Sequence, residues 1–274
     1  MFPWTSLLLG TGLSSLIGII AYRRHSLTKS GVVGALLLGT VLFGFRGTMA
    51  GMLLVAFFVS SSILSRLHAD EKSALADKFS KGSQRGLTQA LANGGVAALL
   101  AIAFYSAPSD LLWAGLVGGL ATVNADMWAT ELGVLAVRRS RLITNLRVVE
   151  VGASEGITAR GTLAAFFGAF LIALLAGAGW IAGGRPLPDG LALLLAGTLG
   201  GLLGAILDSL LGATVQSIFY CYVCEKETER HPLHTCGTTT HSLRGWKWLN
   251  NDGVKFLSSG VGAGVAVLLM ATAG

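Results

Sequence analysis

Apolar residues run in eight long stretches along the chain, at about 4–21, 31–45, 47–65, 88–105, 111–134, 161–182, 190–213 and 253–273. Each comes near the ~20 residues that an α-helix needs to cross the hydrocarbon core of a bilayer. The pattern predicts an all-α, polytopic transmembrane helix bundle of seven to eight spans, forming one integral-membrane domain over residues 1–274. The stretch 31–65 could be read instead as one very long helix. Its 35 residues exceed a single span, and Gly44-Phe45-Arg46-Gly47 offers a turn in the middle.

Charge decides between the two. With a hairpin at Arg46, the loops 22–30, 66–87, 135–160 and 214–252 share one side of the membrane. That side, with Lys255 at the start of the last span, takes all of the 20 Lys and Arg residues except Arg46 and Arg185. A single long helix would move the 66–87 loop across and spoil the asymmetry. The positive-inside rule then makes the four loops cytoplasmic and both termini external. A prokaryotic plasma membrane is the expected location.

Composition agrees with this picture. The chain is 53% hydrophobic and 12% charged, about half the charge fraction of a soluble domain, and its mean hydropathy is +0.67. Its 38 glycines suit close packing between helices in lipid, where small residues let backbones approach. The start Met1-Phe2-Pro3-Trp4 has no basic leader, so no cleavable signal is expected. A pI near 9.5 follows from basic loops and does not call for nucleic acid.

Against this background three carboxylates within the spans stand out: Asp126, Glu131 and Asp208. A charge at the bilayer centre costs a few kcal/mol, so such residues are retained where they face a cavity, a metal or a partner. All three fall in the cytoplasmic half of their spans, and Asp252 opens the last span at the same end. Asp126 and Thr130 share a helix face, while Glu131 lies about 140° round from Asp126, so both can line a wide groove. With Asn124, Asn250 and Asn251 nearby, the set suits Mg²⁺, a hard ion that shares its oxygen shell with water and substrate phosphates. Two other readings of the acids are packing against polar partners, which the near absence of Lys and Arg within the spans disfavours, and a cation or proton path.

Two loops have the composition of phosphate sites. Val151 to Thr162, with Ser154, Gly156, Thr158 and Arg160, runs from a Gly/Ser/Thr-rich loop into a helix start, where free N–H groups favour anions; it also reads as an ordinary N-cap. His25 to Gly31 follows the same logic with Lys29. In the loop 214–252, Cys221 and Cys224 form a Cys-x₂-Cys followed by His231, His234, Cys236 and His241. The three cysteines with one of those histidines, His234 among them, match a Cys₃His zinc knuckle that would be structural, pinning the loop; free thiols are the other reading. Arg244-Gly245-Trp246-Lys247-Trp248-Leu249-Asn250-Asn251-Asp252 combines headgroup-zone tryptophans with a polar opening to the last span.

Several of these stretches together resemble the integral-membrane phytyl-phosphate kinase family. They are His25-Ser26-Leu27-Thr28-Lys29-Ser30-Gly31, Leu91-Ala92-Asn93-Gly94-Gly95, Asp126 to Gly133, Ile157-Thr158 with Gly161-Thr162, Leu207 to Ala213, and Trp248 to Asp252. The resemblance implies transfer of a nucleotide γ-phosphate to an isoprenoid monophosphate such as phytyl or geranylgeranyl phosphate. Mapped onto this chain, Asp126 and Asp208 would hold Mg²⁺ with Glu131 or Asp252. Lys29, Arg160 and Arg244 would clamp phosphates, and Asn93, Asn124, Asn250 and Asn251 would add polar contacts. One departure concerns the nest: Ser154-Glu155-Gly156 stands where relatives have a Ser-Gly-Gly-like run, and Glu155 would repel a phosphate unless it points away or binds the metal. Expected partners are CTP or ATP, the lipid phosphate and the membrane, without nucleic acid; a homo-oligomer is left open. Rival functions are a transporter with an intramembrane acidic site and a CTP-dependent lipid-phosphate cytidylyltransferase.

Overall fold

The computed structural model describes residues 4–67, 85–135, 140–145, 147–149 and 156–273. Among these residues eight long helices follow the apolar stretches closely: α1 (Trp4–Arg23), α2 (Lys29–Arg46), α3 (Thr48–Arg66), α4 (Leu87–Ser106), α5 (Asp110–Gly133), α6 (Ala159–Ala182), α7 (Leu187–Thr214) and α8 (Asn251–Ala273). The disputed stretch 31–65 is broken as the charge pattern requires. The last turn of α2, Leu42–Arg46, widens into a π-helix, and Gly47 at φ 89° turns the chain into α3. That φ suits glycine, since a Cβ there would crowd the backbone.

Arg46 and Arg185 lie at the end of the bundle away from the other basic residues. The Arg46 guanidinium sits 4.1 Å from the ring centres of both Phe104 and Trp113, and Arg185 pairs with Asp110 at 2.7 Å. At the basic end, Arg66 donates to the Arg24 carbonyl and Leu27 pairs with Arg85, tying the α1–α2 turn to the α3–α4 connection. Three helices that start there are capped by side chains: Thr28 accepts from Gly31 N, Thr158 from Gly161 N and Asn250 from Gly253 N.

Short antiparallel strands punctuate the two longest described connections at this end. β1 (Ser140–Leu142), β2 (Val148–Val149) and β3 (Gly156–Ile157) pair in the order β2-β1-β3 between α5 and α6. β4 (Ile218–Cys221), β5 (Lys226–Thr228) and β6 (His241–Arg244) pair as β5-β4-β6 between α7 and α8. The loops are therefore less irregular than an all-α reading suggests.

Among the described residues seven helices are long and apolar enough to cross a membrane; α5 is not among them. The reason is its place. Every residue of α5 from Trp113 to Met127 is buried, with α3, α4, α6, α7 and α8 packed around it. A helix shielded from lipid can carry Thr122, Asn124 and Asp126, whereas α1 turns Leu8, Leu9 and Leu16 outward and reads as lipid-facing.

Glycines set the closest approach, where α5, α7 and α8 meet. A Cβ on Gly118 or Gly200 would stand 2.7 or 2.6 Å from the Gly262 carbonyl oxygen, and one on Gly262 would lie 2.8 Å from the Gly200 oxygen. Gly262→Ala is therefore expected to lower stability by about 1–3 kcal/mol, read as thermal melting in detergent. Gly264 meets nothing within 4 Å, so Gly264→Ala on the same helix should match wild type or exceed it. Equal melting of the two variants would contradict this contact.

Candidate active site

Just below that glycine contact, at the basic end, three helices bring four polar side chains together in the core. Asp126 on α5 is paired with the Lys255 ammonium on α8. Asp208 on α7 accepts a hydrogen bond from Ser258 Oγ, also on α8, at 2.7 Å. The charges of Asp126 and Lys255 both act on Asp208. Asp126, Asp208 and Lys255 are each less than a tenth exposed. At 1.5 Å per residue, Asp126 lies about 10 Å below the end of α5 and Lys255 about 6 Å inside α8. The group thus occupies one end of the bundle rather than a path across it.

Lys255 changes the sequence expectation. The spans were expected to offer the acids almost no basic partner, and Lys255, placed at the start of the last span, counted only toward the charge asymmetry. The structure places it one turn inside α8, against Asp126. The signal was present in the chain: a lone lysine after Asn251-Asp252-Gly253-Val254 is an intramembrane charge by the same reasoning that selected the acids. Ser258 gave no such signal.

The other expected acids go elsewhere. Glu131 accepts from Ser65 on α3, and its charge acts on Arg85. Arg85 is almost fully buried, 5.6 and 5.4 Å from the ring centres of Phe57 and Phe58; burial pulls its guanidinium down to about 10 against the opposing pull of Glu131. Asp252 lines an apolar groove between α2, α4 and α8, along with Leu38, Leu91, Leu99 and Phe256. Asp252 and Phe256 face this groove, while Lys255 and Ser258 on the same helix face the core, so groove mouth and buried group share the first two turns of α8.

The amides and phosphate clamps separate similarly. Asn124 donates to the Gly168 carbonyl at 2.7 Å and accepts from Ser60, which binds α5 to α6 and α3. Asn93 lines a cavity of about 70 Å³ with Ser14 and Arg85; both its amide atoms are buried without a hydrogen-bond partner among the described residues. Arg244 donates to the Gly212 and Ala213 carbonyls at the end of α7, and partial burial lowers its pKa. Arg160 donates to the Leu135 carbonyl, and Thr158 caps α6. Lys29 and Asn250 are exposed at the starts of α2 and α8, and Asn251 is half-buried. Gly156 pairs with Leu142 in the first small sheet, whereas Ser154 and Glu155 lie outside the described residues.

Of the expected metal ligands, Asp126 and Asp208 remain together. Two carboxylates and the Ser258 hydroxyl are hard oxygen donors, which fit a Mg²⁺ that completes its shell with water and phosphate. Glu131 and Asp252 do not join them. Apart from this pair, the Cys221, Cys224 and Cys236 thiols converge with His234, all four ligating atoms lying within 4.8 Å of one another. Hydrogen bonds from Thr238, then from His234, draw the Cys236 thiol down to about 6, while its hydrogen bond with Cys236 pushes Cys224 up to about 11.

Known proteins place the chain in a family. The model of the integral membrane protein family DUF92 matches residues 12–263. Protein PGR of Arabidopsis thaliana is 34% identical over 278 residues, 93% of each chain. An uncharacterized membrane protein of Methanocaldococcus jannaschii is 34% identical over 199 residues, 72% of this chain and 78% of its own. Protein VTE6, chloroplastic, of Arabidopsis thaliana is 27% identical over 248 residues, covering 89% of this chain and 65% of the relative. No solved structure matches. The chain belongs to the integral membrane protein family DUF92, the family to which its phytyl-phosphate-kinase-like motifs point.

Proposed function

We propose that the protein is a membrane-embedded kinase that transfers a nucleotide γ-phosphate to an isoprenoid monophosphate, giving the diphosphate. The observation that carries this reading is the buried Asp126–Lys255–Asp208–Ser258 group beside the mouth of an apolar groove. Similarity to Protein VTE6 and the resemblance to phytyl-phosphate kinases support it. The apolar tail would lie in the groove between α2, α4 and α8, with its phosphate turned toward the first turns of α8. The basic end would face the cytoplasm, where nucleotide is available.

Phosphoryl transfer needs positioning and charge stabilisation more than covalent help from the protein. A phosphate oxygen of the isoprenoid bonds to the γ-phosphorus. The bond from that phosphorus to the β–γ bridging oxygen breaks, and the nucleoside diphosphate leaves with the electron pair. The attacking oxygen is already anionic, so no side chain is needed as a base. Mg²⁺, when bound, neutralises phosphate charge, and Asp126 and Asp208 would hold it. Lys255 orients Asp126 and would offer a buried cation to the phosphates, and Ser258 holds Asp208 by its hydrogen bond.

The test uses purified protein in detergent with Mg²⁺, phytyl or geranylgeranyl monophosphate, and γ-labelled CTP or ATP. The expected result is label in the isoprenoid diphosphate with release of a nucleoside diphosphate. Release of labelled pyrophosphate would replace this reading with the cytidylyltransferase. Uptake of lipid phosphate or cation by sealed proteoliposomes without nucleotide, and no label transfer, would replace it with the transporter.

A further inference from the structure

We propose that Cys221, Cys224, His234 and Cys236 form a structural zinc site that fastens the α7–α8 connection over the buried charged group. Cys221 Sγ and Cys236 Sγ are 3.6 Å apart, and His234 Nδ1 lies 3.4 Å from Cys236 Sγ. Tetrahedral zinc with its usual bond lengths separates two sulfurs by about 3.8 Å and a sulfur from an imidazole nitrogen by about 3.5 Å. A disulfide needs the sulfurs at about 2.05 Å, so the observed spacing has the dimensions of shared coordination.

The backbone is shaped to present the four donors. Cys221 ends β4 and is fully buried, and Cys224 follows in the turn to β5. His234 and Cys236 sit in a second tight turn, closed by hydrogen bonds from Gly237 N to the His234 carbonyl and from His234 N to the Thr238 carbonyl. Gly237 takes a φ of 80° there. His231 is engaged otherwise, stacked on Phe219 with ring centres 4.3 Å apart, and His241 begins β6, packed beside Tyr222. Three histidines were open from spacing; the fold selects His234.

The site also has something to hold. Its sheet continues into hydrogen bonds from Ser217 N to the Leu249 carbonyl and from Trp246 N to the Val215 carbonyl, which clasp the end of α7 to the approach of α8. Gln216, buried beneath the sheet, donates to Glu229 just past β5 at 2.9 Å. The Glu229 carboxylate acts electrostatically on both Asp208 and Lys255. In this loop of hardly any apolar core, a metal supplies the cross-link that burial of side chains cannot.

The experiment is metal analysis of full-length protein purified in detergent without added zinc. One zinc per chain is expected. Stripping it and adding Co²⁺ should give the intense thiolate-to-cobalt bands of a tetrahedral site. Cys221→Ser and Cys236→Ser should each lower zinc content about ten-fold or more, while His241→Ala keeps it. Protein with three freely titrating thiols, no zinc and no cobalt bands would overturn the proposal. So would zinc retained in full by both cysteine variants. Neither readout depends on kinase activity, so failure here leaves the phosphate-transfer reading standing.

Discussion

Lys255→Met is expected to be among the most destabilising single exchanges in this protein, lowering unfolding free energy by about 3–5 kcal/mol. Lys255 and Asp126 are paired with side chains only 8% and 12% exposed, so removing the ammonium strands a carboxylate in the core. Methionine fills much of the same volume, which confines the loss to charge rather than to a cavity. The companion Asp126→Asn/Lys255→Met removes both charges and should recover most of the stability. Melting of the three proteins in one detergent checks this, and a single variant as stable as the double would contradict the pairing.

Asp208→Asn is expected to act in the opposite way, costing activity but not folding. Asparagine keeps an oxygen to accept from Ser258 and nearly the same shape, yet loses the negative charge. Shape and the Ser258 hydrogen bond are both kept, so the melting temperature should stay near that of wild type. Label transfer to isoprenoid phosphate should fall about 100-fold or more, the range seen when a preorganised electrostatic group is removed. A loss confined to melting temperature, with activity per folded molecule intact, would remove Asp208 from the chemistry.

Much of the architecture was legible because lipid imposes a simple rule. Apolar stretches of span length mark the helices, and the skew of Lys and Arg placed the hairpin at Arg46, which the structure breaks with a π-turn and Gly47. α5 was legible as a helix, but its central position was not: burial by five neighbours is a property of assembly, and only its Thr, Asn and Asp content hints at it. Convergence of Asp126 with Asp208 could be expected from their shared depth. Partner choice could not. Glu131 is near Asp126 along the chain, yet rotation about the helix turns it to Ser65 and Arg85. Arg85 looked like one more loop charge and is buried. Arg160, Arg244 and Thr158 read as phosphate contacts, but they bond helix ends, because terminal carbonyl and N–H groups take up whatever donors and acceptors lie nearest.

The account rests on the buried charges serving phosphate transfer rather than packing. The double variant Asp126→Asn/Lys255→Met separates the two, since it restores packing without restoring charge. With equal amounts of folded protein, Mg²⁺, isoprenoid monophosphate and γ-labelled nucleotide, wild type should form labelled diphosphate and the double variant should form about a hundredth as much or less. A folded double variant that transfers label at the wild-type rate would show that the pair only holds the helices together, and would contradict the proposed site.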